Sequence, residues 1–241
     1  SIGEPISGLI TPRWSPGGSS VMYELDATTH VVSLDETRDR PSFVAAMAAW
    51  IGDGSQIAYV ADSTLHAMDT WTGEAVQLTD GPERIWGVAA SLDGVHAAYV
   101  ASDDAGALLR VVDVFTRETW DARTFRGIWP WSLAWSPDGR TLAYCVGGAE
   151  EQGGQRVSVC MLDVRCIGAE AGCEPRAVAT LVTDPRCAGL AWSPDSRAVA
   201  IAAQMGRSGR YAVHAISPAG EQHQLTGQGN CVLPDWGPSP I

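Results

Sequence analysis

Residue types that often carry catalysis occur in this sequence, but their spacing is not that of a catalytic motif. There is no Gly-x-Ser-x-Gly nucleophile motif, no phosphate-binding loop and no His-Glu-x-x-His pair. The histidines are scattered over separate segments, at His30, His66, His96, His214 and His223. We therefore predict that they are surface or strand residues, and that the protein has no enzymatic activity, no cofactor and no metal ion.

Cysteine chemistry is a second possibility, since all six cysteines follow Tyr144. Cys166 and Cys173 bracket the segment "IGAEAG" in a long insertion, which predicts a loop disulfide, with free thiols as the alternative. No Cys-x-x-Cys pair or compact Cys/His cluster indicates zinc. The number of cysteines favours a periplasmic or other extracytoplasmic location. The alternative is a cytoplasmic location as part of a larger protein.

Molecular recognition is a third possibility, because tryptophan and arginine recur at fixed distances before a repeated tryptophan position. Six residues before that position lie Arg84, Trp129, Arg186 and Asn230, and four residues before it lie Trp86 and Trp131. Strand alternation places both sets on one side, and Trp and Arg are enriched in interface hot spots. We predict that these six residues bind a protein or peptide partner. The alternative is that Trp86 and Trp131 only pack in the interior.

A repeat must position these residues, and its clearest copy is "LAWSPDGRTLAY", from Leu133 to Tyr144. The repeated tryptophan position, at separations of 36, 40, 45, 57 and 44 residues, is held by Trp14, Trp50, Ala90, Trp135, Trp192 and Trp236. Nine residues further on lie Tyr23, Tyr59, Tyr99, Tyr144 and Ile201. The segments between them, "SPGG", "IGDG", "SLDG", "SPDG" and "SPDS", predict a tight turn that joins two strands. Repeats of about 40 to 50 residues with four strands are typical of propeller blades, and the repeated aromatics are predicted to pack between blades.

The segment "AWSPDGRTLAY", with "VQLTDG" at 76–81 and "HQLTGQ" at 223–228, resembles the repeats of TolB-type β-propellers, which are related in shape to WD40 rings. The resemblance covers nearly the whole chain. It is specific for the fold and says little about function, because the matching residues are turn and core residues.

We therefore predict an all-β protein: one domain over residues 1–241, a six-bladed β-propeller of four-stranded antiparallel blades. The inner strands are expected to end near the six repeated positions. In TolB-like proteins both ends of the propeller build the closing blade, and here the residues before Trp14 suffice for only two strands. The closing blade is therefore expected to be incomplete, and the alternative is a five-bladed ring with one redundant inner strand. The outer edge of the first blade is expected to be ragged or three-stranded.

Composition narrows the possible functions further. The chain has a net charge of −12, which argues against nucleic acid as a partner, because such binding relies on clustered basic residues. No apolar run is long enough to predict membrane insertion. Propeller enzymes commonly place carboxylate or histidine metal ligands around the central channel, whereas the inner strands here hold almost no carboxylate, Asp235 being the exception.

The preferred interpretation is a non-enzymatic, TolB-like scaffold that binds a protein or peptide at the rim of the channel. The alternative is an accessory or sensor propeller domain of a larger enzyme or signalling protein. The oligomeric state is not predicted.

Overall fold

The fold is built almost entirely from β-strands joined by short turns. The computed structural model describes residues 12–25, 28–34, 43–81, 83–103, 106–126, 128, 130–151, 154–168, 173–183, 189–204, 210–227, 234 and 236. The only helix in these ranges is a single 3-10 turn, Val164–Cys166. None of the described residues forms a helix that could cross a membrane.

The strands of the described residues form five four-stranded antiparallel sheets, each with its strands in chain order. Blade 1 contains β1 (Arg13–Trp14), β2 (Ser20–Leu25), β3 (Thr28–Ser33) and β4 (Phe43–Val44). Blade 2 contains β5 (Ala46–Ile51), β6 (Gln56–Ala61), β7 (Thr64–Asp69) and β8 (Ala75–Gln77). Blade 3 contains β9 (Arg84–Ala90), β10 (His96–Asp103), β11 (Gly106–Asp113) and β12 (Thr119–Phe125). Blade 4 contains β13 (Pro130–Trp135), β14 (Thr141–Glu151), β15 (Gly154–Asp163) and β16 (Arg176–Thr183). Blade 5 contains β17 (Leu190–Trp192), β18 (Val199–Gln204), β19 (Tyr211–Ile216) and β20 (Gln222–Gln224).

The all-β class and the four-stranded antiparallel blades of the prediction are confirmed. The described residues form five blades, which matches the five-bladed alternative; the preferred six-bladed ring is not confirmed. Residues 1–11 and 228–241, expected to build the closing blade, lie outside the described part of the chain apart from Pro234 and Trp236.

The boundary between blades 1 and 2 differs from the expectation. The run "FVAAMAAW" reads as one inner strand, but Phe43–Val44 pairs with β3 as the outer strand of blade 1, and β5 begins only at Ala46. Blade 1 is therefore four-stranded, although its outer strand has only two residues. Phe43 pairs with Thr29 of β3, and this pairing cannot be recognised from the sequence pattern.

In blades 1, 3, 4 and 5 a buried serine follows the repeated tryptophan position and organises the turn between the first two strands. In blade 4, Ser136 Oγ donates to Asp138 Oδ1 at 2.6 Å and accepts the main-chain N–H of Thr141 at 2.9 Å. In blade 5, Ser193 makes the same pair of bonds, to Asp195 at 2.7 Å and from Ala198 at 3.0 Å. The serine thus satisfies polar groups that the turn would otherwise bury unpaired.

Turns of adjacent blades touch one another at the same end of the ring. A side chain added at Gly52 would lie 3.4 Å from the Cα of Gly94, so the turns of blades 2 and 3 approach backbone to backbone. The main-chain N–H of Asp138 donates to Ser196 Oγ at 3.1 Å, which joins the turns of blades 4 and 5. These contacts hold the turns of neighbouring blades side by side.

Hydrogen bonds from the repeated tryptophans connect successive blades. Each indole N–H donates to the carbonyl one residue before the repeated position of the preceding blade, with these donor–acceptor pairs: Trp50 to Arg13 at 3.2 Å, Trp135 to Ala89 at 3.1 Å and Trp192 to Ala134 at 2.9 Å. Trp236 makes the equivalent bond to Ala191 at 2.9 Å. The expectation that the repeated aromatics pack between blades is confirmed for Trp50, Trp135 and Trp192, which are at most 7% exposed, but not for Trp14, which is 58% exposed.

Candidate functional site

The inner strands are irregular near the end at which they begin. In β5 the register shifts between Ala46 and Ala48, and the intervening Met47 has a φ of 57°. In β9, Ile85 and Gly87 pair with consecutive residues of β10, so Trp86 is the extra residue. In β13 the shift falls between Trp131 and Ala134. Bulges of this kind redirect side chains, and three neighbouring blades carry one at a similar level.

The irregular segments of β5 and β9 border a cleft between blades 2 and 3, here called the rim cleft. Its volume is about 720 Å³, and it is lined by Ala45, Met47, Val60, Ala61, Asp62, Ser63, Glu83, Arg84, Ile85 and Trp86. Asp62 and Ser63 form the turn between β6 and β7, and both have left-handed backbone conformations, with φ of 48° and 61°. The walls are mainly apolar, with polar groups at the edge, which is the usual character of a ligand-binding cleft.

Trp86 is the most prominent side chain of the rim cleft. Its side chain is 55% exposed, although its indole N–H donates to Ser102 Oγ at 2.8 Å. Ser102 also lies opposite Arg84 in the sheet, and Arg84 is exposed. The hydrogen bond holds the ring in one orientation, so an aromatic surface is offered to solvent without the usual freedom of an exposed side chain.

An ion-pair network holds the connection that carries these residues. Arg110 on β11 forms ion pairs with Glu83 and with Asp121, the latter at 2.6 Å. Burial alone would lower the pKa of Arg110, but the hydrogen bonds to Asp121 and Glu83 outweigh it and raise that pKa. The main-chain N–H of Glu83 also donates to the carbonyl of Ser63 at 2.6 Å. The segment before β9 is thereby tied to blade 3 and to the turn of blade 2.

Of the six predicted partner-binding residues, the three that the structure describes do not share one environment. Arg84 and Trp86 lie together in the rim cleft. Trp131 pairs with Cys145 and is half-buried against a cluster between blades 4 and 5 that includes Ile201. The other three, Trp129, Arg186 and Asn230, lie outside the described residues. The bulges interrupt the alternation on which the prediction of a common side was based.

Sequence reasoning missed the network of Glu83, Arg110 and Asp121. Glu83 and Arg110 are 27 positions apart, on the connection before β9 and on β11, so no local pattern connects them. The bulges were missed for a related reason. A residue such as Met47, with a φ of 57°, carries no sequence signal for a left-handed conformation, which glycine or asparagine would have given.

The sulfur atoms of Cys166, the last residue of the 3-10 turn, and Cys173 are joined in a disulfide. Cys145 is buried and Cys160 is half-buried, and burial raises the pKa of both thiols. They pair with Val159 and Tyr144, respectively, and so point to opposite faces of the sheet. Asp235, like Trp129, lies outside the described residues.

No group of three or more His, Cys, Asp or Glu side chains comes together among the described residues to hold a metal ion. The pKa shifts of Tyr99, His214 and Asp195 arise from burial or from a hydrogen bond within a turn. Burial raises the pKa of Tyr99 to about 12, and burial lowers the pKa of His214. The Ser193 hydroxyl holds the pKa of Asp195 below its usual value.

Comparison with solved structures finds the same architecture in proteins of very different activity. A TolB protein from Agrobacterium tumefaciens aligns with a TM-score of 0.64 and 16% identity, over 94% of this chain and 85% of that one. The fold is a TolB-like β-propeller. An oligogalacturonate lyase in complex with manganese aligns with a TM-score of 0.63 and 17% identity, over 88% of this chain and 63% of the lyase.

Hydrazine synthase from Kuenenia stuttgartiensis aligns with a TM-score of 0.64 and 16% identity, over 89% of this chain and 64% of that one. This chain therefore spans less than two thirds of the lyase and of the synthase. The sequence matches no protein-family model and no curated protein. At these identities the likeness shows the fold alone.

Proposed function

We propose that this TolB-like propeller is a non-enzymatic scaffold that binds a protein or peptide at the rim cleft. The observation that carries the proposal is Trp86, which is 55% exposed, held by Ser102, and placed beside a mainly apolar cleft of about 720 Å³. A rigid exposed tryptophan loses little conformational entropy when it is covered, which makes it an efficient anchor for a partner.

The side chains that line the rim cleft indicate what kind of peptide segment it would bind. Val60, Ile85 and the ring of Trp86 form an apolar wall, which suits a bulky aliphatic or aromatic side chain of the partner. Arg84 and Asp62 are exposed at the edge and supply polar contacts that would orient the bound segment. The same proposal includes Trp129, Trp131, Arg186 and Asn230 as an extension of the surface around the rim.

An extracytoplasmic location belongs to the proposal as well. The disulfide between Cys166 and Cys173 supports it, because disulfides persist in oxidising compartments. The TolB neighbour supports it only as an analogy of fold. The manganese-bound lyase is only 17% identical to this chain, and a likeness of fold at that level carries no catalytic role over to it.

A second candidate is an accessory or sensor propeller within a larger enzyme or signalling protein. It is favoured by the alignment with the tricorn protease, which has a TM-score of 0.55 and 14% identity and covers 88% of this chain but 21% of that protein. In this case the rim cleft would receive a segment of the attached domains rather than a separate partner.

A peptide selected from a displayed random library on the intact protein tests the first proposal. We expect Trp86→Ala combined with Arg84→Ala to weaken binding of that peptide at least about tenfold, since hot-spot residues each contribute about 2 kcal/mol or more. Titration of the synthetic peptide, followed by calorimetry, measures the effect.

Trp71 supplies the matched control, because it is 61% exposed but lies in the turn between β7 and β8, away from the rim cleft. Trp71→Ala should leave the affinity for the selected peptide unchanged. Peptide binding that depends on Trp71 and not on Trp86 would contradict the proposed site. Equal loss of thermal stability and of binding in the Trp86 variant would show that the residue is structural.

A further inference from the structure

Blade 1 has one face that differs from the equivalent face of every other described blade. In the repeat, three residues face the preceding blade: the repeated tryptophan, its partner on the second strand, and the residue opposite that partner on the third strand. In blade 1 these are Trp14, Val21 and Val32, which pair in sequence across β1, β2 and β3. We call this surface, together with Tyr23, the blade-1 face.

The equivalent residues in blades 2 to 5 are covered by the blade before them. The pairs on the second and third strands are Ile57 and Met68, Ala97 and Val112, Leu142 and Leu162, and Val199 and Ile216. All of these side chains are 0% exposed except that of Met68, which is 4% exposed. Trp50, Trp135 and Trp192 are 6% to 7% exposed. At all four interfaces between the described blades, the side chains at these positions are therefore almost completely buried.

The side chains of the blade-1 face are much more exposed than their equivalents in the other blades. Trp14 is 58% exposed and Val32 is 48% exposed, while Val21 and Tyr23 are half-buried. The opposite side of blade 1 is complete, because Met22 and Val31 are buried against Trp50 and Ile57 of blade 2. The exposure is thus confined to one side of the sheet and continues from the first strand to the third.

The four complete interfaces show what covers such a face. Tyr99, Ala97 and Val112 of blade 3 are buried by Ala58, Leu65 and Ala67, which lie on the two middle strands of blade 2. Tyr23, Val21 and Val32 are the corresponding residues of blade 1. Taken together, residues 1–11 and 228–241 are fewer than the residues that span the four strands of blade 2, β5 to β8.

We propose that the blade-1 face binds an antiparallel pair of β-strands supplied by polypeptide outside these 241 residues, with small and aliphatic side chains towards Val21 and Val32. A single strand beside β1 would reach Trp14 but not the third strand. A pair of strands would also reach Val32, because successive blades of this protein pack on one another through their two middle strands. This surface is separate from the rim cleft, so its test is independent of the proposed function.

A peptide with the sequence of residues 56–69, cyclised at its ends to hold the hairpin, is a probe available from the chain itself. In the protein this segment covers the equivalent face of blade 3. We expect saturable binding to the intact protein, measured by fluorescence anisotropy of the labelled peptide. Val32→Glu should weaken binding at least about tenfold, because a charge would be buried unpaired.

Two controls make the result specific. Val76→Glu introduces the same charge at a residue of blade 2 that is 43% exposed. This variant should bind the peptide as tightly as the unmodified protein does. A peptide carrying Leu65→Asp should not bind, since Leu65 is one of the residues that cover blade 3. Equal binding of all variants, or no binding up to about 1 mM, would overturn the proposal.

The other possible occupants give different results in the same samples. If a second copy covers the face, sedimentation will show a dimer that Val32→Glu dissociates and Val76→Glu does not. If the chain itself covers the face, Val32→Glu will lower the free energy of unfolding far more than Val76→Glu, and the peptide will not bind. Either result would assign the face to that occupant and contradict a pair of strands from outside.

Discussion

Trp86 and Trp135 lie in opposite environments, although both belong to inner strands. Trp135 is 6% exposed, and its indole N–H donates to the carbonyl of Ala89 in the preceding blade. Trp86 is 55% exposed, and its indole N–H donates to Ser102 of its own blade. The difference follows from position, because Trp135 faces a neighbouring sheet and Trp86 occupies a bulge at the rim.

Alanine at these two positions should therefore have very different effects on stability. Trp135→Ala leaves a cavity between blades 3 and 4 and should lower the free energy of unfolding by about 3 to 5 kcal/mol. Trp86→Ala removes mostly exposed surface and should cost less than about 1 kcal/mol. Denaturant titration of both variants measures the difference. Similar losses would mean that Trp86 is also part of the packed interior.

The tight turns act as elements that hold neighbouring blades in register. Gly54 has a φ of 95°, and a Cβ there would lie 2.9 Å from the Cβ of Ser15 in the turn of blade 1. Gly73 also has a positive φ, 76°, but a Cβ there would have nothing within 4 Å. Backbone conformation demands glycine at both positions, whereas contact between turns demands it only at Gly54.

Alanine substitution separates these two demands. Gly73→Ala should lower the free energy of unfolding by about 1 to 2 kcal/mol, the cost of a left-handed conformation for a residue with a Cβ. Gly54→Ala should cost about 1 to 3 kcal/mol more, because it adds overpacking against Ser15. Thermal unfolding of the two variants is the measurement. Equal effects would show that the turns of blades 1 and 2 separate at little cost.

Across the whole molecule, aspartates with lowered pKa values stabilise turns in several blades. The main-chain N–H of Ser55 lowers the pKa of Asp53, and the Ser193 hydroxyl lowers that of Asp195. Burial raises the pKa of Asp138, but the hydrogen bonds from Ser136 and Arg140 outweigh it, and the net effect is a lowered value. Each carboxylate is therefore more stable in the folded chain than in the unfolded one.

This linkage predicts the dependence of stability on pH. A group whose pKa is depressed by folding contributes fully above its unfolded pKa, and the contribution is lost as the pH falls through the folded pKa. The free energy of unfolding should thus decrease below about pH 4. Asp138→Asn should make the decrease shallower, as judged by urea titrations at several pH values. An unchanged slope would show that the turn carboxylates do not drive acid unfolding.

Local sequence information determined the repeated parts of this protein. The turn after each repeated tryptophan depends on residues only a few positions apart, and the alternation of apolar residues defines the two faces of each strand. The all-β class, the four-stranded blades and the packing of Trp50, Trp135 and Trp192 between blades followed from these patterns.

Only the tertiary structure decided features that depend on contacts between distant segments. Three inner strands carry bulges near the rim, the ion pair of Glu83 with Arg110 joins residues far apart in the chain, and Phe43–Val44 belongs to blade 1 rather than blade 2. For the same reason Trp86 is exposed and Trp131 half-buried, although both lie four residues before the repeated position. A side chain's exposure depends on what packs against it, and in a propeller that is the next blade.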